Sequence, residues 1–67
     1  MMSPISRQEV RVLTYAAKGF SYGEIATLMG VSGHTVQTYV KRSYRKLQVN
    51  GKVEALSEAR RLRLIDE

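Results

Sequence analysis

The stretch from Ser32 to Leu47 carries the side chains whose types and spacing indicate chemistry. On a helical wheel of about 100° per residue, it has an apolar side that includes Val36 and Val40 and an opposite polar side. The polar side holds His34, Thr38, Lys41 and Arg45, with Gln37 and Arg42 at its edges. Amide, hydroxyl and basic groups together can hydrogen-bond base edges and neutralise phosphates. The stretch therefore predicts an amphipathic helix that binds a polyanion.

The charge distribution of the chain supports this interpretation. Its 67 residues carry a net charge of +5 and give a pI near 10.0. No Asp or Glu occurs from Ile25 to Val53, so the excess of positive charge lies in this segment. A solvated helix normally mixes both signs, because pairs four residues apart stabilise it. A single sign favours nucleic acid or another anionic surface as the partner.

The residue types give no basis for catalysis. The chain has no Cys, which excludes disulfides, thiol chemistry and zinc–cysteine sites. His34 is the only His and has no candidate partner nearby in the sequence, and no two of the six acidic residues share a predicted pocket. We therefore predict that the protein is not an enzyme and uses no metal or cofactor. No apolar run could span a bilayer and the N-terminus lacks a signal-peptide core, so we expect a soluble cytoplasmic protein without membrane contact.

Capping signals divide the chain into four helices. The spacing of a capping box, in which two side chains bind each other's backbone amides, occurs at Ser6 and Glu9 and again at Ser21 and Glu24. The predicted helices are Arg7–Lys18, a short helix between Ser21 and Gly30, a third from Ser32 to Leu47 or Gln48, and a fourth over Lys52–Arg63. The expected core positions are Val12, Leu13, Ala16, Ala17, Phe20, Ile25, Ala26, Leu28, Met29, Val31, Val36, Val40, Leu47, Val49, Ala55, Leu56, Ala59 and Leu62, and Leu64 and Ile65 are expected to close the domain. We expect an all-α domain over residues 5–65, an unstructured segment at residues 1–4 and a tail at residues 66–67.

The second and third predicted helices are joined by Met29-Gly30-Val31-Ser32, which matches a helix-turn-helix. The second helix of that motif enters the major groove of DNA. An αα-hairpin in any small bundle has the same pattern, and a basic helix can also dock into an acidic protein groove. The acid-free third helix favours double-stranded DNA over such a protein-interaction module. A promoter-reading segment of a σ factor would use the same motif.

Several stretches of the sequence resemble the LuxR/FixJ-type (NarL-type) DNA-binding domain. Residues 5–13, ISRQEVRVL, are similar to its opening L-T-x-R-E-x-E-V-L. Residues 19–36, GFSYGEIATLMGVSGHTV, match its signature G-x-S-x-x-E-I-A-x-x-L-x-I-S-x-x-T-V, and residues 45–49 (RKLQV) and 54–55 (EA) match its ending. The resemblance covers residues 5–65. It implies a four-helix helix-turn-helix domain of a transcription regulator, formed around the second and third helices.

The resemblance also implies roles for individual positions. Contacts to base edges are implied for the third helix, at His34, Gln37, Thr38 and Lys41. Phosphate contacts are implied at Ser21, Tyr22, Ser32, Thr35, Arg42, Arg45 and Lys46. The fourth helix is commonly a dimer surface, here Val53, Ser57, Arg60 and Leu64, and Arg60 interrupts it, so pairing of the free domain should be weak. Such domains usually follow a phosphorylatable receiver or a small-molecule sensor, neither of which is present in this sequence.

A few positions depart from the family pattern. Gln37 replaces a common Lys or Arg, and an amide suits adenine better than guanine. Gly33 weakens the first turn of the third helix. Ser43 stands on the inward side where the family has Ile, and we expect its hydroxyl to bond to the carbonyl of Tyr39. Tyr39 and Tyr44 flank the apolar side, which favours core packing over base stacking.

Overall fold

The computed structural model describes residues 4–66, which form four helices. They are α1 (Arg7–Ala17), α2 (Tyr22–Met29), α3 (Gly33–Leu47) and α4 (Lys52–Arg61). The all-α prediction is confirmed, although α1 and α4 end slightly earlier than the sequence suggested. The segment predicted to be unstructured and the predicted tail lie outside the described residues, except for Pro4 and Asp66. No helix of the described range is long and apolar enough to cross a membrane.

Side-chain caps begin the first two helices as predicted. Ser6 Oγ accepts a hydrogen bond from Glu9 N at 3.2 Å, and Ser6 N donates to Glu9 Oε1 at 2.8 Å. The box of Ser21 and Glu24 has the same two bonds, at 3.1 and 2.8 Å. Each box satisfies backbone amides that a helix start leaves without an intrahelical partner. With its amides satisfied in this way, α2 can begin only a few residues after the end of α1.

Residues in the left-handed backbone region end the helices. Gly19 (φ +93°) follows α1 and Gly30 (φ +68°) follows α2, where the absence of a Cβ makes this conformation easy to adopt. Gln48 (φ +58°) after α3 and Arg63 (φ +60°) after α4 adopt it with a side chain. Two of the four stop positions therefore carry no glycine signal in the sequence.

One hydrophobic core joins all four helices. Its buried residues are Val12, Leu13, Ala16, Ile25, Ala26, Val36, Val40, Leu47, Ala55, Leu56, Ala59 and Ile65. Phe20 folds back from the end of α1 and meets Tyr15 edge to face, with ring centroids 5.8 Å apart. Tyr39 and Tyr44 pack against the core, as expected from their positions beside the apolar side of α3.

Two residues predicted for the core lie largely outside it. Leu28 is 48% exposed, because the inward side of α2 is centred between Ile25 and Ala26 and Leu28 falls beyond its edge. Leu62 is 45% exposed, because α4 ends at Arg61 and Leu62 lies past the last turn that contacts the core.

The left-handed turn after α2 generates a stability prediction. Gly30→Ala should lower the free energy of unfolding by about 1 kcal/mol, because a Cβ disfavours positive φ even though the space around Gly30 is open. For a domain of this size that corresponds to a fall of about 4–8 °C in Tm.

Gly33→Ala is the matched control for Gly30→Ala. Gly33 also has open space around it but lies in the first turn of α3 without positive φ. Alanine there should stabilise the domain by about 0.4–1 kcal/mol, because it restricts the unfolded chain. Thermal denaturation of both variants checks the pair, and shifts in the same direction would contradict the assigned turn geometry.

Candidate nucleic-acid interface

The helix α3 turns one side to the core and the other to solvent. His34, Gln37 and Lys41 are exposed and Thr38 is half-buried, so the predicted base-reading residues share the N-terminal part of the outward side. Thr38 Oγ1 donates a hydrogen bond to the carbonyl of His34 at 3.1 Å. Because this bond uses the hydroxyl hydrogen, Thr38 presents a methyl group and oxygen lone pairs.

Arg42 and Arg45 continue the outward side toward the end of α3, and both are exposed. Within residues 4–66 no salt bridge involves Lys41, Arg42 or Arg45. Their charge is not neutralised by a carboxylate in this part of the chain, so this surface keeps the positive potential that steers polyanions.

Serine side chains cap the starts of both α2 and α3. Ser21 caps α2, while Ser32 caps α3 by accepting a bond from Thr35 N at 3.0 Å. The Ser32 and Thr35 hydroxyl oxygens are also 3.0 Å apart and share a hydrogen bond. The first turn of α3 contains no acidic residue, so its unpaired amides and positive dipole end remain favourable for an anion.

Tyr22 begins α2 and is half-buried against the core together with Tyr44 of α3. Burial and the neighbouring Tyr22 hydroxyl raise the pKa of Tyr44 to about 12. Tyr44 therefore stays neutral near pH 7 and adds no charge to the interface.

Lys46 has a partner inside the domain that the sequence analysis did not foresee. Its Nζ lies 2.8 and 3.1 Å from the two carboxylate oxygens of Glu9 and 3.2 Å from the carbonyl oxygen of Pro4. These contacts use the three donors of the ammonium group, and only 19% of the Lys46 side chain is exposed. The structure therefore does not support the predicted phosphate role of Lys46. It also shows that Pro4 is held to the domain.

Glu9 combines a cap with a buried charge. The residue is 2% exposed and lies on the inward side of α1 with Val12, Leu13 and Ala16. Burial by itself raises the pKa of Glu9, but hydrogen bonds from Lys46 and Ser6 and the Lys46 charge lower it by more. The pKa of Glu9 therefore lies below its usual value, and the residue is ionised at neutral pH. Its place on an apolar stripe was the sequence signal that a buried cation partner was needed.

Ser43 is fully buried on the inward side of α3. Its hydroxyl donates to the carbonyl of Val40 at 2.8 Å, not to that of Tyr39 as expected. The bond reaches back three residues along the helix rather than four. The hydroxyl is therefore satisfied without a partner outside α3.

Three of the four residues predicted for a dimer surface, Val53, Ser57 and Arg60, lie on α4. Val53 is 82% exposed and Ser57 is exposed, while Arg60 is half-buried. Leu64 lies beyond the end of α4, where left-handed Arg63 turns the chain, and it is half-buried against the core. Its part in a dimer surface stays a prediction. Among the described residues, no group of three or more His, Cys, Asp or Glu side chains could hold a metal ion.

Comparisons with known proteins agree with this architecture. The family model described as "Bacterial regulatory proteins, luxR family" matches residues 3–59. The HTH-type transcriptional regulator MalT of Vibrio cholerae is 35% identical over 60 residues, which are 90% of this chain and 7% of MalT. MalT of Yersinia pestis has the same identity and coverage. The response regulator ChrA of a heme-sensing two-component system superimposes with a TM-score of 0.89 and 32% identity, over 94% of this chain and 31% of ChrA. The chain thus spans a small part of each of these longer proteins.

The lowered pKa of Glu9 generates a prediction about pH. A carboxylate with a lower pKa in the folded state stabilises it above the pKa of the unfolded chain, about 4.3, and loses this contribution as pH falls through the folded value. Glu9→Gln should therefore destabilise the domain by about 1–3 kcal/mol near pH 7. The difference in free energy of unfolding between Glu9→Gln and the wild type should narrow below about pH 4.3.

Urea denaturation of both proteins from pH 3 to pH 8 measures this difference in free energy of unfolding. Glu58→Gln is the control, because its hydrogen-bonded pair with Arg61 also lowers the pKa of Glu58 but is open to solvent. Screening by water should make its effect much smaller. If both substitutions lower the free energy of unfolding equally at every pH, burial does not strengthen the salt bridge between Glu9 and Lys46.

Proposed function

Because this chain belongs to the luxR family of bacterial regulatory proteins and is a LuxR-type helix-turn-helix DNA-binding domain, we propose that α3 lies in the major groove of a double-stranded operator. Domains of this family are transcription regulators and not enzymes. The observation that carries the proposal is the outward side of α3, which is basic, free of acidic residues and solvent-accessible. A helix of this kind fits the width of the major groove.

Sequence discrimination is assigned to the N-terminal part of α3. Gln37 can pair with adenine through both its donor and its acceptor, and Lys41 can donate to guanine O6 and N7. Thr38 can contact a thymine methyl, since its hydroxyl hydrogen is already bound to the carbonyl of His34. His34 lies one turn earlier on the same side and completes the set of proposed base contacts.

Phosphate contacts are assigned to groups around these residues. Arg42 and Arg45 supply charge on α3. Ser32 and Thr35 at the start of α3, and Ser21 at the start of α2, supply hydroxyls beside unpaired amides, and Tyr22 lies in the first turn of α2. Such contacts fix the position of the protein on the duplex and carry no sequence information directly. Lys46 is left out of this set because Glu9 and Pro4 occupy its donors.

Two copies are proposed to bind one operator. A single helix-turn-helix reads only a few base pairs, and two-fold pairing predicts a pseudo-palindromic site with half-sites about 10 bp apart. Val53 and Ser57 provide the contact on α4, and the neighbouring Arg60 limits apolar burial there. Pairing should therefore be weak in the free domain and become effective on DNA.

The longer proteins that match this chain suggest its context. Since it spans 31% of the response regulator ChrA and 7% of MalT, we propose that it works as the output domain of a larger regulator. A receiver or sensor domain elsewhere in that regulator would then control when two copies meet on DNA.

The first test of DNA binding is its salt dependence. The logarithm of the association constant should fall with the logarithm of salt concentration by about 0.9 per phosphate contact, or roughly 2–4 per copy. Arg45→Ala should reduce this slope by about 0.9 and weaken binding to all duplexes alike. Arg7→Ala, which removes an exposed charge from α1 instead, is the control and should change little.

Base contacts are separated from phosphate contacts by substitution of Lys41. Lys41→Ala should cost about 1–3 kcal/mol on a site selected in vitro with this domain and broaden its sequence preference. Fluorescence anisotropy with selected and scrambled duplexes measures both effects. If binding does not depend on salt and no duplex is preferred, α3 is not a DNA-reading helix and an acidic protein groove becomes the better partner.

The proposed pairing through α4 is tested with Ser57→Glu, which places like charges opposite each other across a two-fold contact. Cooperative binding to a paired site should be lost while binding to one half-site is retained. Leu62→Glu adds the same charge on another side of the wheel and should keep cooperativity. Undiminished cooperativity of Ser57→Glu would place the contact elsewhere.

A further inference from the structure

We propose that Lys46 is a positioning residue for DNA reading, which acts by fixing the direction of α3 through Glu9 rather than by contacting phosphate. The inference rests on the proposed function of α3. It starts from the position of the salt bridge, which joins the first turn of α1 to the last turn of α3 across 37 residues of sequence. The Pro4 carbonyl is the third acceptor of the same ammonium group.

The site of this salt bridge leaves little freedom to α3. Glu9 is 2% exposed, so its carboxylate cannot follow Lys46 into solvent. The carboxylate is also bound to Ser6 N at 2.8 Å, which anchors it to the start of α1. A change in the angle between α1 and α3 would therefore separate a buried charge from its partner, which is strongly unfavourable.

Because α3 is long, a small tilt at the salt bridge produces a large displacement of the residues proposed to contact bases. Lys46 and Gln37 are nine positions apart, so they lie about 13 Å apart along the axis of α3. A tilt of about 5° at the salt bridge would move Gln37 by roughly 1 Å. Hydrogen bonds to base edges are lost over such a displacement, whereas Arg42 and Arg45 have long side chains that can follow a phosphate. Loosening the salt bridge should therefore reduce discrimination between sequences before it reduces general affinity.

The test compares affinities for two duplexes, one selected in vitro with the wild-type chain and one scrambled sequence of equal length. Lys46→Met removes the charge and keeps the length of the side chain. It should lower the ratio of the two affinities about tenfold, the equivalent of one good base contact. It should leave the affinity for scrambled DNA and the salt slope nearly unchanged. Partial unfolding cannot produce this result, because it reduces both apparent affinities by the same factor.

Glu9→Gln makes the test decisive, since it leaves the charge of Lys46 in place. A positioning role predicts that Glu9→Gln lowers the affinity ratio as Lys46→Met does, and that the double variant is no worse than either single variant. A phosphate role predicts the opposite. Glu9→Gln would then release Lys46 and strengthen binding to both duplexes, while Lys46→Met would reduce the salt slope by about 0.9.

The outcomes also separate this inference from the proposed function. A wild-type chain that binds neither duplex would contradict DNA binding itself. Salt-dependent, sequence-selective binding by the wild type, with an unchanged affinity ratio in Glu9→Gln, would overturn the positioning role alone. If Lys46→Met is unfolded at the assay temperature, the comparison of Glu9→Gln with the wild type still decides between the two roles.

Discussion

A carboxylate remains ionised inside a protein only if donors replace the water that it has lost. Glu9 meets this condition with a backbone amide at the start of α1 and with Lys46 in the last turn of α3. Neither donor can move away without leaving a buried charge unpaired. The relation between the first helix of the domain and its proposed DNA-reading helix is therefore set by charge as well as by apolar packing.

The helix α3 is the centre of the fold as well as its candidate interface, because the two most extensive helix–helix contacts, with α1 and with α2, both involve it. Packing determines the structure of its inward side, and electrostatics determines the properties of its outward side. The inward side is closely packed, and even the hydroxyl of Ser43 is bound within the helix. The outward side carries exposed charge of one sign, which repels itself in the free protein and gains from an anionic partner. Because both sides belong to one helix, a change in the packing of the inward residues also moves the outward residues that are proposed to contact DNA.

Sequence reasoning could locate the helices because their ends carry local chemistry. The capping boxes at Ser6 and Ser21 and the glycine after α2 are each recognisable within four residues. The end of α4 was predicted too late in the sequence, because an arginine such as Arg63 gives no indication that it will adopt a left-handed conformation. Because of that error, Leu64 was counted in a surface stripe of α4 as well as among the residues that close the domain. The partner of Lys46 could not be identified in the same way, because it depends on how α1 and α3 pack. The nature of the candidate site followed from charge and periodicity, whereas the occupancy of each donor required coordinates.

The short connections between the helices have a consequence for how the chain reaches this structure. Most contacts of the domain join neighbours in the sequence, so little chain entropy is lost before they form, and such topologies fold in about milliseconds or less. The bond between Glu9 and Lys46 is an exception, because it closes a loop of 37 residues. Local helix pairs can therefore assemble first, and the ion pair that aligns α1 with α3 belongs to the later steps. Its loss would be expected to accelerate unfolding more than it slows folding.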